Sequence, residues 1–367
     1  MTRIAIVNDS MLENLCQSVL SVPDYDIAWT ARDGADAVKK CATDRPDLLL
    51  MDPDIPGMDG VEAIRRIMQA TPCPILVVTA TVEGNAAKVF RAIGSGAIDA
   101  VNTPVPGMDE QAQRSRKMFL KKINTLIKLQ GPSRTSPETE AYRSKNESFQ
   151  SQTESVQSDT RSFRSKTEAF RAMIAASLPP LIVIGSSTGG PKTLLKVLAP
   201  LPENLGAAII VVQHLDEEFS PGLADWLNTQ TALRVRIAPR GARPEKGIVD
   251  VAGTNDHLIL TRGLTFAYTP EPRNNPYRPS VDVFFKSVAE HWPDTGCAIL
   301  LTGMGRDGAV ELANLRRLGW YTIAQDQATS VVYGMPKAAK ELDAAVEILP
   351  IEEISPAILK RLKVKMG

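Results

Sequence analysis

The chain is predicted to be an α/β protein with two doubly wound parallel-sheet domains joined by a flexible linker. Three observations lead there. Short apolar runs rich in β-branched residues, each closed by a polar or turn-forming residue, alternate with amphipathic segments of helical period, the pattern of a parallel sheet with crossover helices. After Gln130 the composition turns abruptly to Ser, Thr, Glu, Arg, Gln and Lys, and near residue 177 the alternation resumes. The second block then opens on Leu181-Ile182-Val183-Ile184-Gly185-Ser186-Ser187-Thr188-Gly189-Gly190-Pro191, a buried strand running through a glycine turn into a helix. The expected divisions are residues 1–129, a linker over 130–176, and 177–367.

Composition narrows the class. With 43% hydrophobic and 23% charged residues, the 367-residue chain has the profile of a soluble globular protein. Its 42 basic and 42 acidic residues balance, which argues against nucleic acid or a membrane surface as the main partner. The four cysteines, at 16, 41, 73 and 297, show neither metal nor disulfide spacing, as expected in a reducing cytoplasm. The chain starts on a strand, so no signal peptide is expected, and no apolar run approaches the ~20 residues of a membrane helix.

In the first domain, Arg3–Val7 reads as a parallel strand ending in Asn8-Asp9-Ser10. Met11, Leu12, Leu15, Val19 and Leu20 mark a helix face after it. Ile27–Thr30 is a second strand and 34–43 a second helix. Asp47–Met51, closed by Asp52, and Pro74–Val78, closed by Thr79, are the third and fourth strands. Ala97–Val101 is a short fifth strand, and 108–129 an amphipathic helix. Chemistry in such sheets gathers at the carboxyl ends of strands, where Asp9, Asp52 and Thr79 fall. Two carboxylates and a hydroxyl there suit Mg²⁺ and a phosphoryl group; loop-end Asp and Thr residues equally cap helices.

The linker carries Tyr142, Phe149, Val156, Phe163 and Phe170, each seven residues apart. One apolar position per heptad is too few for a coiled coil. A flexible tandem duplication is expected, with a weakly self-associating helix as the other possibility.

In the second domain, Gly185-Ser186-Ser187-Thr188-Gly189 fits the G-x-S-x-G elbow, which holds a serine hydroxyl out at a strand end before a helix N-terminus. Leu194, Leu195, Val197 and Leu198 give that helix its apolar face. Ala207–Gln213 is a strand ending at His214; Ala298–Leu301 is another, leading to Thr302-Gly303-Met304-Gly305-Arg306-Asp307-Gly308. A helix over 309–318 and a strand over Thr322–Gln325 follow, with short strands near 247–268 and a helix over 280–291. Ser187, His214 and Asp307 thus all lie just past strand ends. Serine would attack, histidine take its proton, and aspartate fix the imidazole tautomer. The order Ser, His, Asp is not the usual α/β-hydrolase order. Of the other histidines, His257 is expected to make a local hydrogen bond and His291 to be packed.

Two resemblances add to this. Val7-Asn8-Asp9-Ser10 and Leu50-Met51-Asp52-Pro53-Asp54 through Gly60 resemble the acidic pair and phospho-acceptor loop of two-component receiver domains, and the match covers the whole first domain. It implies phosphorylation of Asp52 by a histidine kinase, Mg²⁺ on Asp9, Asp52 and the backbone carbonyl of Asp54, and Thr79 as the switch hydroxyl. Asn8 stands where one acid is usual, and Thr103 where receivers usually carry lysine. The second domain resembles the catalytic domain of chemotaxis-type methylesterases in the stretches 184–190, 212–214, 279–285, 301–308, 324–326 and 334–336. That implies the Ser187, His214 and Asp307 roles given above, with the Met304 backbone N–H as an oxyanion donor. Arg306 stands where the family more often has Asn. The implied substrate is the γ-glutamyl methyl ester, and glutamine for deamidation, on the cytoplasmic helices of a chemoreceptor. No cofactor is implied for hydrolysis, and receiver phosphorylation is implied as the control. The changes at Asn8 and Thr103 resemble the Wsp-type surface-sensing branch. The alternative on the same motifs is a non-enzymatic response-regulator adaptor or phosphate sink; its readout would persist in a Ser187→Ala chain.

Overall fold

A computed structural model describes residues 1–80, 86–128 and 178–362. In the first domain β1 (Thr2–Val7), α1 (Leu12–Leu20), β2 (Tyr25–Ala31), α2 (Gly34–Thr43), β3 (Leu48–Met51), α3 (Gly60–Ala70), β4 (Ile75–Thr79), α4 (Ala86–Gly94), β5 (Asp99–Asn102) and α5 (Glu110–Lys128) alternate. The strands form one parallel sheet in the order β2-β1-β3-β4-β5. Period two sorts the strand residues. Ile4, Ile6, Leu48, Leu50, Leu76 and Val78 face Leu15 and Val19 of α1 and Phe119 and Ile123 of α5. Ala5, Val7, Leu49, Met51, Ile75 and Val77 join Ala37, Ile64, Ile67 and Phe90 on the other face. Both faces are covered, which is why these strands are continuously apolar.

The expected fifth strand starts two residues late. Gly96, at φ 127°, and Ala97 close the end of α4 by donating to the carbonyls of Ile93 and Ala92, so extended pairing begins at Asp99. The expected linker and its seven-residue aromatic repeat lie outside the described residues.

The second domain runs β6 (Leu181–Ser186), α6 (Gly190–Leu198), β7 (Ala208–Gln213), α7 (Ser220–Gln230), β8 (Arg234–Ile237), β9 (Ile248–Val251), β10 (His257–Leu260), β11 (Phe266–Thr269), α8 (Val281–His291), β12 (Cys297–Leu300), α9 (Ala309–Arg317), β13 (Tyr321–Gln325), α10 (Met335–Glu341), β14 (Glu347–Leu349) and α11 (Ile351–Arg361). Seven strands form a parallel sheet in the order β14-β13-β12-β6-β7-β9-β8. β10 and β11 pair with each other as a separate antiparallel hairpin. Strand order reverses between β6 and β12, and such a switch point opens a crevice at the carboxyl ends of the two strands. Ser187 follows one of them and Asp307 the other.

The domains meet along α4 and α7. Phe90 stacks on Trp226 with centroids 5.8 Å apart. Gly222 permits the crossing, since a Cβ there would lie 2.3 Å from the Ala86 Cβ. Among the described residues, no helix is long and apolar enough to cross a membrane.

Candidate active site

The elbow takes its shape from the ends of three strands. Gly189 holds φ 77°, and a Cβ there would strike Val331 at 2.6 Å, so only glycine carries the chain from β6 into α6. Ser186 and Gln213 are register partners on β6 and β7, which brings Ser187 and His214 to neighbouring positions just beyond. Gln213 ties the two ends together: Oε1 accepts from Ser186 Oγ at 2.6 Å and Nε2 donates to the Ser187 carbonyl at 2.8 Å. The Ser187 N–H donates to the Thr302 carbonyl at 3.0 Å, joining the elbow to the loop after β12. Gly303 lies against the serine, where a Cβ would fall 2.7 Å from Ser187 Cβ and 2.2 Å from Met335 Sδ. Met304 follows directly on that close approach.

His214 and Asp307 meet as expected. His214 Nε2 is 2.7 Å from Asp307 Oδ2, and both side chains are nearly buried. His214 Nδ1 is buried and has no hydrogen-bond partner among the described residues. With Nε2 donating to the carboxylate, Nδ1 is the lone-pair nitrogen.

Asp307 sits on the N-terminus of α8. Its Oδ2 also accepts from the Val281 N–H at 2.6 Å, and its Oδ1 accepts from Ser280 Oγ at 2.8 Å and the Asp282 N–H at 3.2 Å. Burial works against its charge, but the bonds from His214, Ser280 and Val281 outweigh it and hold the carboxyl below its ordinary value. The orphan amides and dipole of α8 favour the anion further. Neighbouring Asp282 goes the other way: burial and the Asp307 charge raise it to about 7. The two carboxyls are thus pushed apart, and Asp307 is the one that stays ionised.

Three contacts had no signal in the sequence pattern. Tyr277 stacks on the His214 imidazole, with centroids 4.7 Å apart and planes 12° apart. From the first domain, Lys121 Nζ on α5 lies 5.7 Å from the Tyr277 ring centroid. Thr125 Oγ1 on the same helix is 2.8 Å from Met304 Sδ. Beside them Asn102 Nδ2 donates to Glu218 Oε2 at 3.1 Å. The helix of the first domain therefore lies across both flanks of the Ser187 crevice. Arg306 turns away to pair with Glu341. His291 is half-buried at the end of α8. His257 departs from expectation: its partners are Pro272 and Ser280, fifteen and twenty-three residues away, because β10 packs beside α8.

The carboxyl edge of the first sheet forms a second cluster. Asp52 is buried; its Oδ2 accepts from Asn8 Nδ2 at 2.7 Å and its Oδ1 from the Asp54 N–H at 2.8 Å. Lys88 of α4 pairs with Asp54 at 2.6 Å. Asp9 is half-exposed and 3.6 Å from Arg32. Thr79 is buried at the end of β4, in register with Asn102. Among the described residues no three His, Cys, Asp or Glu side chains gather as a metal cluster. Two carboxylates and a carbonyl oxygen still fit Mg²⁺, a hard cation that keeps much of its water.

Burial raises the Asp52 carboxyl to about 6, against partial relief from the Asp54 amide and Lys88. The folded state therefore holds the proton more tightly than the unfolded state, and this contribution to stability is lost as pH rises from about 4 through about 6. In metal-free buffer, the unfolding free energy of Asp52→Asn minus that of the wild type should grow by roughly 1–3 kcal/mol between pH 4 and pH 7. Paired urea titrations at the two pH values measure it; a constant or shrinking difference contradicts the burial argument.

Comparison with known proteins bears on both clusters. The CheB methylesterase profile matches residues 182–358, and the response regulator receiver domain profile residues 4–111. The chain is 46% identical over 359 residues to a protein-glutamate methylesterase/protein-glutamine glutaminase of Cupriavidus metallidurans, covering 97% of each chain. It is 44% identical over 362 residues to a relative of the same description from Pseudomonas fluorescens, covering 98% of each. Among solved structures, the catalytic domain of the Thermotoga maritima CheB methylesterase is 36% identical, covers 50% of this chain and 98% of its own, and superposes with a TM-score of 0.48.

Proposed function

The chain belongs to the CheB methylesterase family, and on that premise we propose that Ser187, His214 and Asp307 are its catalytic triad. The protein is a receiver-linked protein-glutamate methylesterase and protein-glutamine glutaminase. The observation that carries the triad is the His214 imidazole, which is bound through Nε2 to an ionised carboxylate while its other nitrogen is buried without a partner.

Nδ1 takes the proton from Ser187 Oγ as the oxygen attacks the γ-ester carbonyl of a receptor glutamate. Asp307 remains ionised and steadies the imidazolium. Backbone N–H groups at the start of α6 and at Met304 hold the oxyanion. His214 returns the proton to departing methanol, then activates water, which hydrolyses the acyl-enzyme. From a glutamine amide the same sequence releases ammonia. Either product leaves a carboxylate, adding a negative charge to the receptor helix.

The first domain supplies the control. Asp52 accepts a phosphoryl group from a histidine kinase, and Thr79 is the switch hydroxyl. Asp9, Asp52 and the Asp54 carbonyl would hold Mg²⁺, whose charge offsets that of the phosphoryl oxygens. Unphosphorylated, α5 restricts access to the crevice, and phosphorylation shifts the population toward an uncovered form. The site of action is the cytoplasmic part of a methyl-accepting chemoreceptor. Asn8 and Thr103 place the chain in the Wsp-type branch on this proposal.

Methanol release from radiolabelled receptor membranes tests the activity: label should be freed by the wild type and retained with Ser187→Ala. The covering role has its own test. A cation over a ring contributes about 0.5–1 kcal/mol, so Lys121→Glu should raise the unphosphorylated rate roughly two- to five-fold. An unchanged rate contradicts cover by α5.

A further inference from the structure

His257 is fully buried at the start of β10, and its two ring nitrogens hold opposite ends of one loop. Nδ1 accepts from the Ser280 N–H at 3.1 Å, and Nε2 donates to the Pro272 carbonyl at 3.4 Å. An N–H partner demands a lone pair and a carbonyl demands a hydrogen, so the ring is neutral and carries its proton on Nε2. Burial favours the same state, with Arg278 adding to it and Asp307 and Asp256 opposing. Between the stapled ends the loop carries Tyr277, whose ring stacks on His214. At its far end Ser280 donates through Oγ to Asp307, and the next residue donates its N–H to the carboxylate oxygen that holds His214.

We propose that His257 is a positioning residue for the methylesterase, a staple across residues 272–280 that sets Ser280 under Asp307 and Tyr277 over His214. It touches no reacting atom. It fixes the carboxylate and one face of the base from behind, through a lone pair at a single position. The proposal rests on the triad assignment above; Ser187→Ala tests that assignment independently.

Three substitutions separate the two bonds. Asn at 257 puts an amide oxygen near the Nδ1 position and keeps the acceptor for Ser280. Gln puts its amide near Nε2, keeping the bond to Pro272 and losing the one to Ser280. Leu loses both. The full-length chain is used, with a synthetic helical peptide bearing one glutamate γ-methyl ester as substrate, and an alkyl fluorophosphonate as a probe of the attacking hydroxyl. His257→Leu and His257→Gln should lower kcat about 10- to 100-fold with KM changed less than two-fold, and His257→Asn should remain within about five-fold of the wild type. Fluorophosphonate labelling rates should follow the same order. If His257→Leu does not fold, the Asn and Gln pair carries the comparison. Equal kcat for Asn and Gln, or losses that appear in KM or track only the thermal midpoint, would overturn the proposal.

Discussion

Ser187→Ala should reduce methanol release from methylated receptor by about 10³- to 10⁶-fold, to a residue set by the oxyanion donors and binding alone. The methyl group left at position 187 makes no demand on the fold. The elbow is held by backbone and neighbouring groups, namely the Ser187 N–H on Thr302, its carbonyl on Gln213 Nε2, and Ser186 Oγ on Gln213 Oε1. The thermal midpoint should therefore stay within a few degrees of the wild type while turnover vanishes. A variant retaining more than a tenth of wild-type methanol release would show that another group attacks the ester.

Asp307→Asn should lower kcat by about 10³-fold with little change in KM, because it removes the charge that steadies the imidazolium and the acceptor that fixes its tautomer. The neutral amide can still offer one oxygen toward His214 Nε2 and Val281, and its NH₂ can donate to Ser280 Oγ, which has a lone pair to give. The geometry is thus largely retained and the loss is electrostatic. The same change removes the negative charge that helps raise Asp282 to about 7, so the Asp282 carboxyl should titrate lower in the variant. Carbon-13 NMR of labelled aspartate measures that shift. Loss of less than ten-fold in kcat would mean that the 2.7 Å contact to His214 is structural.

The central triad was legible in the sequence for a topological reason. Ser187, His214 and Asp307 each follow a buried apolar run directly, and in a parallel sheet every such run delivers its next residue to the same edge. That β12 would insert on the far side of β6, making the crevice between them, was not legible, because strand order depends on which crossover a helix takes. Tyr277, Ser280 and His257 were hidden for a related reason. Their partners lie 15 to 93 residues away across α8 and β10, and no spacing rule encodes a contact made between elements. Asp9 illustrates the opposite case: its place at the strand end was readable, but its half-exposed pairing with Arg32 was not.

Labelling of the full-length protein with an alkyl fluorophosphonate, followed by peptide mass spectrometry, tests the triad most directly. The expected result is one phosphonyl adduct, on the peptide containing Ser187, whose formation slows at least 100-fold in His214→Ala. An adduct on a different residue, or labelling of Ser187 at an undiminished rate without the imidazole, would contradict it.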